Sequence, residues 1–112
     1  MKIWVDDIRP APEGWRWCKS VNETIKLIES SEARYKRFKK LKAPYFNLLK
    51  IEIIDLDHDA GDYASDGGDF IKVLDYLEET GRNYPIRIHT MNPVGRMNMQ
   101  AIIRKNNWQE II

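Results

Sequence analysis

The two histidines of the chain, His58 and His89, each stand among groups that change what an imidazole can do. His58 lies between Asp57 and Asp59, His89 is followed by Thr90, and Asp6 with Asp7 forms a third polar cluster near the amino terminus. Two imidazoles at one site can divide acid and base work, one taking a proton while the other gives one. The neighbouring carboxylates favour a protonated imidazole. A fourth group is Asn92 to Arg96, NPVGR. If it starts a helix, its free N–H groups, its dipole, the bare Cα of Gly95 and the charge of Arg96 together suit a phosphate. Taken singly, these features have plainer readings: a histidine at a strand end often caps or packs, and Arg96 is a natural partner for a nearby aspartate. Two histidines beside four carboxylates point to a chemical site.

Each polar cluster closes an apolar run. Lys2 to Val5 stops at Asp6, the run Ile51, Ile53, Ile54 and Leu56 stops at Asp57, and Pro85 to Ile88 stops at His89. Such runs read as strands of a parallel sheet buried on both faces, which excludes carboxylates from their middles and leaves the polar groups at their carboxyl ends. If the three strands are neighbours, all three clusters meet at one sheet edge, where open α/β sheets bind ligands. Both histidines then lie at strand tips rather than in the core, so replacing either is expected to leave the fold intact.

The remaining elements alternate strand and helix, as a parallel sheet demands. Pro10 and Pro12 make Ile8 to Gly14 an irregular loop. Trp15 to Cys18 reads as a short strand with Trp15 and Trp17 on one face. Ser20 and Glu23 form a capping-box pattern ahead of Val21, Ile25 and Ile28, which predicts a helix of about three turns. Tyr35, Phe38 and Leu41 predict a second amphipathic helix ending before Pro44. Asp66, Gly67, Gly68 and Asp69 read as a turn and N-cap, followed by a helix on Phe70, Val73, Leu74 and Leu77 that Gly81 terminates. Asn92 and Pro93 read as N-cap and first residue of a helix reaching Asn106 or Asn107, and Trp108 to Ile112 as a last strand.

At 112 residues, with 43% hydrophobic and 31% charged side chains and no linker, residues 1–112 suit one domain with a single core. A net charge of +1 gives no global signal for nucleic acid. Locally the charge is uneven: Arg34, Lys36, Arg37, Lys39, Lys40 and Lys42 form an acid-free run. Such a run is ordinarily a solvated helix face; interleaved with aromatics it also suits contact with RNA. The single Cys18 excludes an internal disulfide and fits a reducing compartment. No apolar run approaches a membrane span, and MKIWVDD lacks the apolar region of a signal peptide, so a cytoplasmic location is expected and no membrane partner. Oligomeric state leaves no mark on the sequence.

The acid pair after the first strand, the aspartate after the third and the hydroxyl-bearing tip of the fourth resemble the phosphate and Mg2+ site of response-regulator receiver domains. More specifically, WVDDIRPAPEGW, LDHDAGD and IHTMNPVGRMNM are similar to cyclic-phosphate processing receiver domains over nearly the whole chain. The resemblance implies a receiver-like or flavodoxin-like α/β domain: a three-layer sandwich with helices on both faces of a five-stranded, mainly parallel sheet in the order 2-1-3-4-5. It places Asp6, Asp7 and Asp57 as Mg2+ ligands, Asp57 also at the phosphoacceptor position, and His89 or Thr90 at the receiver's Ser/Thr. It implies a phosphoesterase for cyclic nucleotides or 2',3'-cyclic phosphate RNA ends, in RNA repair or nucleotide metabolism. His58, His89 and Asp57 then form the catalytic set, with Arg9, Thr90, Asn92, Gly95 and Arg96 on the substrate. Two departures from receivers bear on signalling: the Pro-containing loop replaces the first helix, and no lysine stands at the receiver's switch position. The alternatives from other classes are a non-catalytic module that binds Mg2+ or a phosphorylated ligand and acts through partners, and a metal-dependent nuclease, which would need two ions about 4 Å apart.

Overall fold

The computed structural model describes residues 1–112 and carries five strands, β1 (Lys2–Val5), β2 (Trp15–Cys18), β3 (Ile53–Leu56), β4 (Ile86–Ile88) and β5 (Glu110–Ile111), with helices α1 (Val21–Lys40), α2 (Ile71–Glu79) and α3 (Pro93–Lys105). The sheet runs β2-β1-β3-β4-β5 and every pairing is parallel. This is the receiver-like order. No helix is long and apolar enough to cross a membrane.

The core lies on one face of the sheet. Ile3, Val5, Ile54, Leu56, Ile86 and Ile88 alternate with residues of the other face and are buried against Val21 and Ile28 of α1, Val73, Leu74 and Leu77 of α2, and Met99 and Ile103 of α3. Helix α2 packs on both α1 and α3, so all three helices occupy the same side. The expected second helical layer is absent, which makes the domain two-layered. Chain handedness explains it: β2 to β3, β3 to β4 and β4 to β5 all step in one direction, and right-handed crossovers place their helices on one face. Only the β1 to β2 step runs the other way, and the Pro10 and Pro12 loop stands there instead of a helix. On that side Trp4, Trp15 and Trp17 are half-buried; Trp4 and Trp15 meet edge to face, and Lys19 lies over Trp17.

Two local expectations change. Instead of two helices, α1 is one helix of 20 residues. Its buried stripe Val21, Thr24, Ile28 and Ser31 continues into Tyr35 and Phe38, so the period that suggested a second helix extends the first. Ser20 caps it, accepting from the Glu23 N–H at 3.1 Å, while Glu23 accepts from the Lys19 N–H. Asp66 does not cap α2, which starts after Phe70 with no side-chain cap. Its carboxylate instead accepts from Ser20 Oγ at 2.6 Å and Asn22 Nδ2 at 3.0 Å, tying the loop before α2 to the start of α1. Gly81, at φ +68°, ends α2 as expected, and Asn92 with Pro93 opens α3.

Candidate functional site

The carboxyl ends of β1, β3 and β4 bring the predicted groups together. His89 follows β4 and donates its backbone N–H to Leu56 O of β3. Its Nδ1 is 2.7 Å from Asp55 Oδ1 and its Nε2 is 2.9 Å from Asp6 Oδ2. Its ring lies parallel to Trp4 at 3.9 Å between centroids. Both ring nitrogens face carboxylate oxygens, an arrangement that favours the doubly protonated imidazolium. Burial pulls its pKa down, but the hydrogen bonds and charges of Asp55 and Asp6 outweigh that and hold it above the ordinary histidine value.

Asp55 is the residue that sequence reasoning passed over. It sits inside β3 with 0% exposure, which overturns the expectation that this strand keeps carboxylates out of its middle. The reason is the two-residue alternation: Ile54 and Leu56 face the helices, while Asp55 shares the opposite face with Trp4 and Arg87, its register partners on β1 and β4. A buried carboxylate persists when it is paired. Here His89 holds Oδ1, and Arg87 Nε lies 3.5 Å from Oδ2 without bonding to it. The available signal was that lone acid in an apolar run, two positions before the tip.

Asp6 is equally committed. Its Oδ1 accepts the N–H groups of Ile8 at 2.9 Å and Arg9 at 2.8 Å, a side-chain turn that starts the proline loop. Burial raises its pKa, but these two donors and His89 more than offset it, and the carboxyl titrates below its ordinary value. Asp6, Asp7 and Asp57 each bring a carboxylate oxygen to within 4.8 Å of the others. Asp7 is shifted upward, by burial first and then by the charges of Asp6 and Asp57. Three hard oxygen donors that repel one another fit a divalent cation such as Mg2+.

His58 follows β3 and is oriented differently. Its Nδ1 lies 2.9 Å from Asp59 Oδ1, and Nε2 has no protein partner. Asp59 in turn accepts weakly from Asn92 Nδ2, at 3.3 and 3.4 Å, linking this tip to the start of α3. Asp57 Oδ1 accepts the backbone N–H of His58 itself at 2.8 Å. His58, Asp59 and Asp69 form a second cluster within ligating range, although Asp69 also accepts from the Ala60 N–H.

The groups expected around a phosphate are largely engaged locally. Asn92 Oδ1 accepts from the Gly95 N–H at 3.0 Å, and Thr90 Oγ1 accepts from the Asn92 N–H. Arg96 Nη2 donates to the carbonyls of Ile88 and Thr90, both at 3.2 Å, so it pairs with the end of β4 rather than with an aspartate. Arg9 is exposed and reaches His89 O at 3.4 Å. The space above Gly95, expected to admit an anion, holds the His58 ring: a Cβ on Gly95 would overlap His58 Cγ. Cys18 is no nucleophile, since burial and then the nearby Glu23 charge push its thiol up to about 11.

Residues 1–105 match the model of a family described as the cyclic-phosphate processing receiver domain. No curated protein and no solved structure matches the chain.

Proposed function

The chain belongs to the family of cyclic-phosphate processing receiver domains, and we propose that it hydrolyses a cyclic phosphodiester at the carboxyl edge of its sheet. The observation that carries this reading is the unequal setting of the two histidines. His89 is clamped by two buried carboxylates, whereas His58 is anchored through Nδ1 to the exposed Asp59 and keeps Nε2 open. Paired groups in opposed environments divide acid and base roles between them.

In this mechanism His58 Nε2 takes a proton from water as the water oxygen bonds to phosphorus. The ester bond to the ring oxygen breaks, and His89 gives its Nε2 proton, now shared with Asp6, to the departing alkoxide. The product is a phosphomonoester beside a free hydroxyl. Asp55 keeps Nδ1 of His89 and so fixes the ring as Nε2 lets go of its proton. Arg9 and the start of α3 at Asn92 lie on the same edge to meet the phosphate. Asp6, Asp7 and Asp57 would hold Mg2+, which when bound neutralises charge on the phosphate oxygens.

Both cyclic mononucleotides and 2',3'-cyclic phosphate ends of RNA present this ester, and the latter would place the protein in RNA repair. Incubation with a panel of both, with and without chelator, tests the reading. Appearance of a phosphomonoester supports it. A second reading, a non-catalytic module that binds Mg2+ or a phosphorylated ligand, is favoured by the occupation of both His89 nitrogens. No turnover across the panel, with retained binding, would select it.

A further inference from the structure

A cavity of about 1040 Å3 opens at the amino-terminal edge of the sheet, opposite the histidine and carboxylate edge. The second half of α1 forms one wall, with Glu32, Tyr35, Lys36 and Lys39 at helical spacing, and the segments entering β3 and β4 form the others. At its base Arg82 forks onto Glu32 through Nε and Nη2, at 3.0 and 2.7 Å, and Tyr84 donates its hydroxyl to the same carboxylate. That network neutralises Arg82. Lys36 and Lys39 from α1 and Lys50 from the approach to β3 are exposed at the rim, with no carboxylate in ion-pair range of any of them.

The dipole of α1 accounts for cations in its last turn, but not for Lys50, which reaches the same opening from another element. Aromatic side chains accompany the charge. Tyr35 packs against Phe46 at 5.6 Å, and Tyr45 is 80% exposed in a left-handed conformation, φ +64°, that a bulky residue seldom adopts. The basic run continues out of the cavity to Lys40 and Lys42, which makes a track rather than a closed pocket.

We infer that this lysine-rimmed cavity and the aromatic segment beside it bind single-stranded polynucleotide. The combination is what such a strand requires: cations that follow its phosphates and aromatic faces on which bases stack. Its volume suits a nucleotide rather than a lone phosphate. Pro85 on the cavity wall is four residues from His89 along β4, so the cavity opens roughly 13 Å from the histidine edge, at the other end of the strands. A strand held here meets the edge of the sheet opposite the reacting groups.

The test is fluorescence anisotropy with labelled RNA and DNA strands of about 12 nucleotides that carry ordinary hydroxyl ends, so the result is independent of hydrolysis. Each phosphate contact contributes about 0.7 to the slope of log affinity against log salt. The Lys36→Ala, Lys39→Ala, Lys50→Ala triple variant should therefore lose about 2 from that slope and bind at least tenfold more weakly at about 50 mM salt. All three lysines are exposed, and unchanged thermal melting verifies that the variant is folded. Tyr45→Ala should weaken the strands and leave binding of inorganic polyphosphate unaltered. The inference is overturned if the parent binds no strand, if the triple variant keeps the parent slope, if polyphosphate of equal charge competes as well as the strand, or if anionic vesicles bind and strands do not.

Discussion

Asp55 Oδ1 lies 2.7 Å from Nδ1 of His89, so the middle of the central strand grips the imidazole at the tip of its neighbour. The contact joins the core of the sheet to the reactive edge, and Trp4, stacked on the same ring, closes the third side. Asp55→Asn would keep an acceptor and remove the charge. The expected outcome is a His89 pKa that falls toward the ordinary value of about 6.5, read from its ring proton shifts across a pH series. An unmoved titration would mean that Asp6 alone holds the proton.

The same clamp makes stability depend on pH. His89 titrates higher folded than unfolded, so its contribution is fully present below about pH 6.5 and is lost as pH rises through the folded value. Asp6 works in the opposite sense: its lowered pKa contributes stability above the ordinary carboxyl value, lost as pH falls through the folded one. Urea unfolding between about pH 5 and 9 should show a decline on the alkaline side that His89→Gln abolishes. A decline of equal slope in that variant would assign it elsewhere.

The strand order, the Asn92 start of α3 and the meeting of the three tips were legible because each has a local signal: an apolar run, a cap, a polar stop. Asp55 was not, since in an apolar run it read as an interruption, and only pairing across β1, β3 and β4 shows that it faces Trp4, Arg87 and His89. The missing helical layer followed from strand order and crossover hand, but the family resemblance suggested a full sandwich. Helix α1 reads from sequence as two helices because Val21, Ile25 and Ile28 and then Tyr35, Phe38 and Leu41 form separate apolar repeats; Ser31, 3% exposed, joins them in one buried stripe. Arg96 appeared free for phosphate because its carbonyl partners, Ile88 and Thr90, lie on a different element's end.

Gly95→Ala separates helix stability from site geometry. Gly95 lies in the first turn of α3, where alanine is a better helix former than glycine, yet its methyl would overlap the His58 ring. Either the ring or α3 must shift. Displacing a catalytic group by about 1 Å costs on the order of a hundredfold in rate, so turnover should fall by that factor while the melting temperature changes little. Undiminished turnover would remove His58 from the reaction.

Chelation tests the acid trio. Mg2+ held by Asp6, Asp7 and Asp57 would relieve their mutual repulsion, so Mg2+ should raise the melting temperature in a concentration-dependent way. Asp57→Asn should abolish that rise. Identical melting with Mg2+ and with chelator would leave the carboxylates to the histidines and the loop.

The histidine pair gives the sharpest test of the proposed reaction. With His58 required neutral and His89 protonated, turnover should peak between two apparent pKa values and fall on both sides. His58→Ala should cost about 10²- to 10⁴-fold and leave the fold intact, because the ring packs above Gly95 and carries no buried charge partner. His89 differs from the expectation for a strand-tip histidine. Its removal leaves Asp55 with only Arg87 at 3.5 Å and Asp6 with only its two backbone donors, each carboxylate 1% exposed at the side chain, and breaking such a buried pair typically costs about 3–5 kcal/mol. His89→Ala is therefore expected to melt well below the parent, and its lost turnover would say nothing about chemistry. His89→Gln combined with Asp55→Asn removes the acid and one buried charge together. This pair should recover much of the stability, stay inactive, and lose little more when His58→Ala is added, since groups acting as one unit are not additive. A folded double variant that still opens the cyclic phosphate at the parent rate would take His89 out of the mechanism and leave Asp6 to supply the proton.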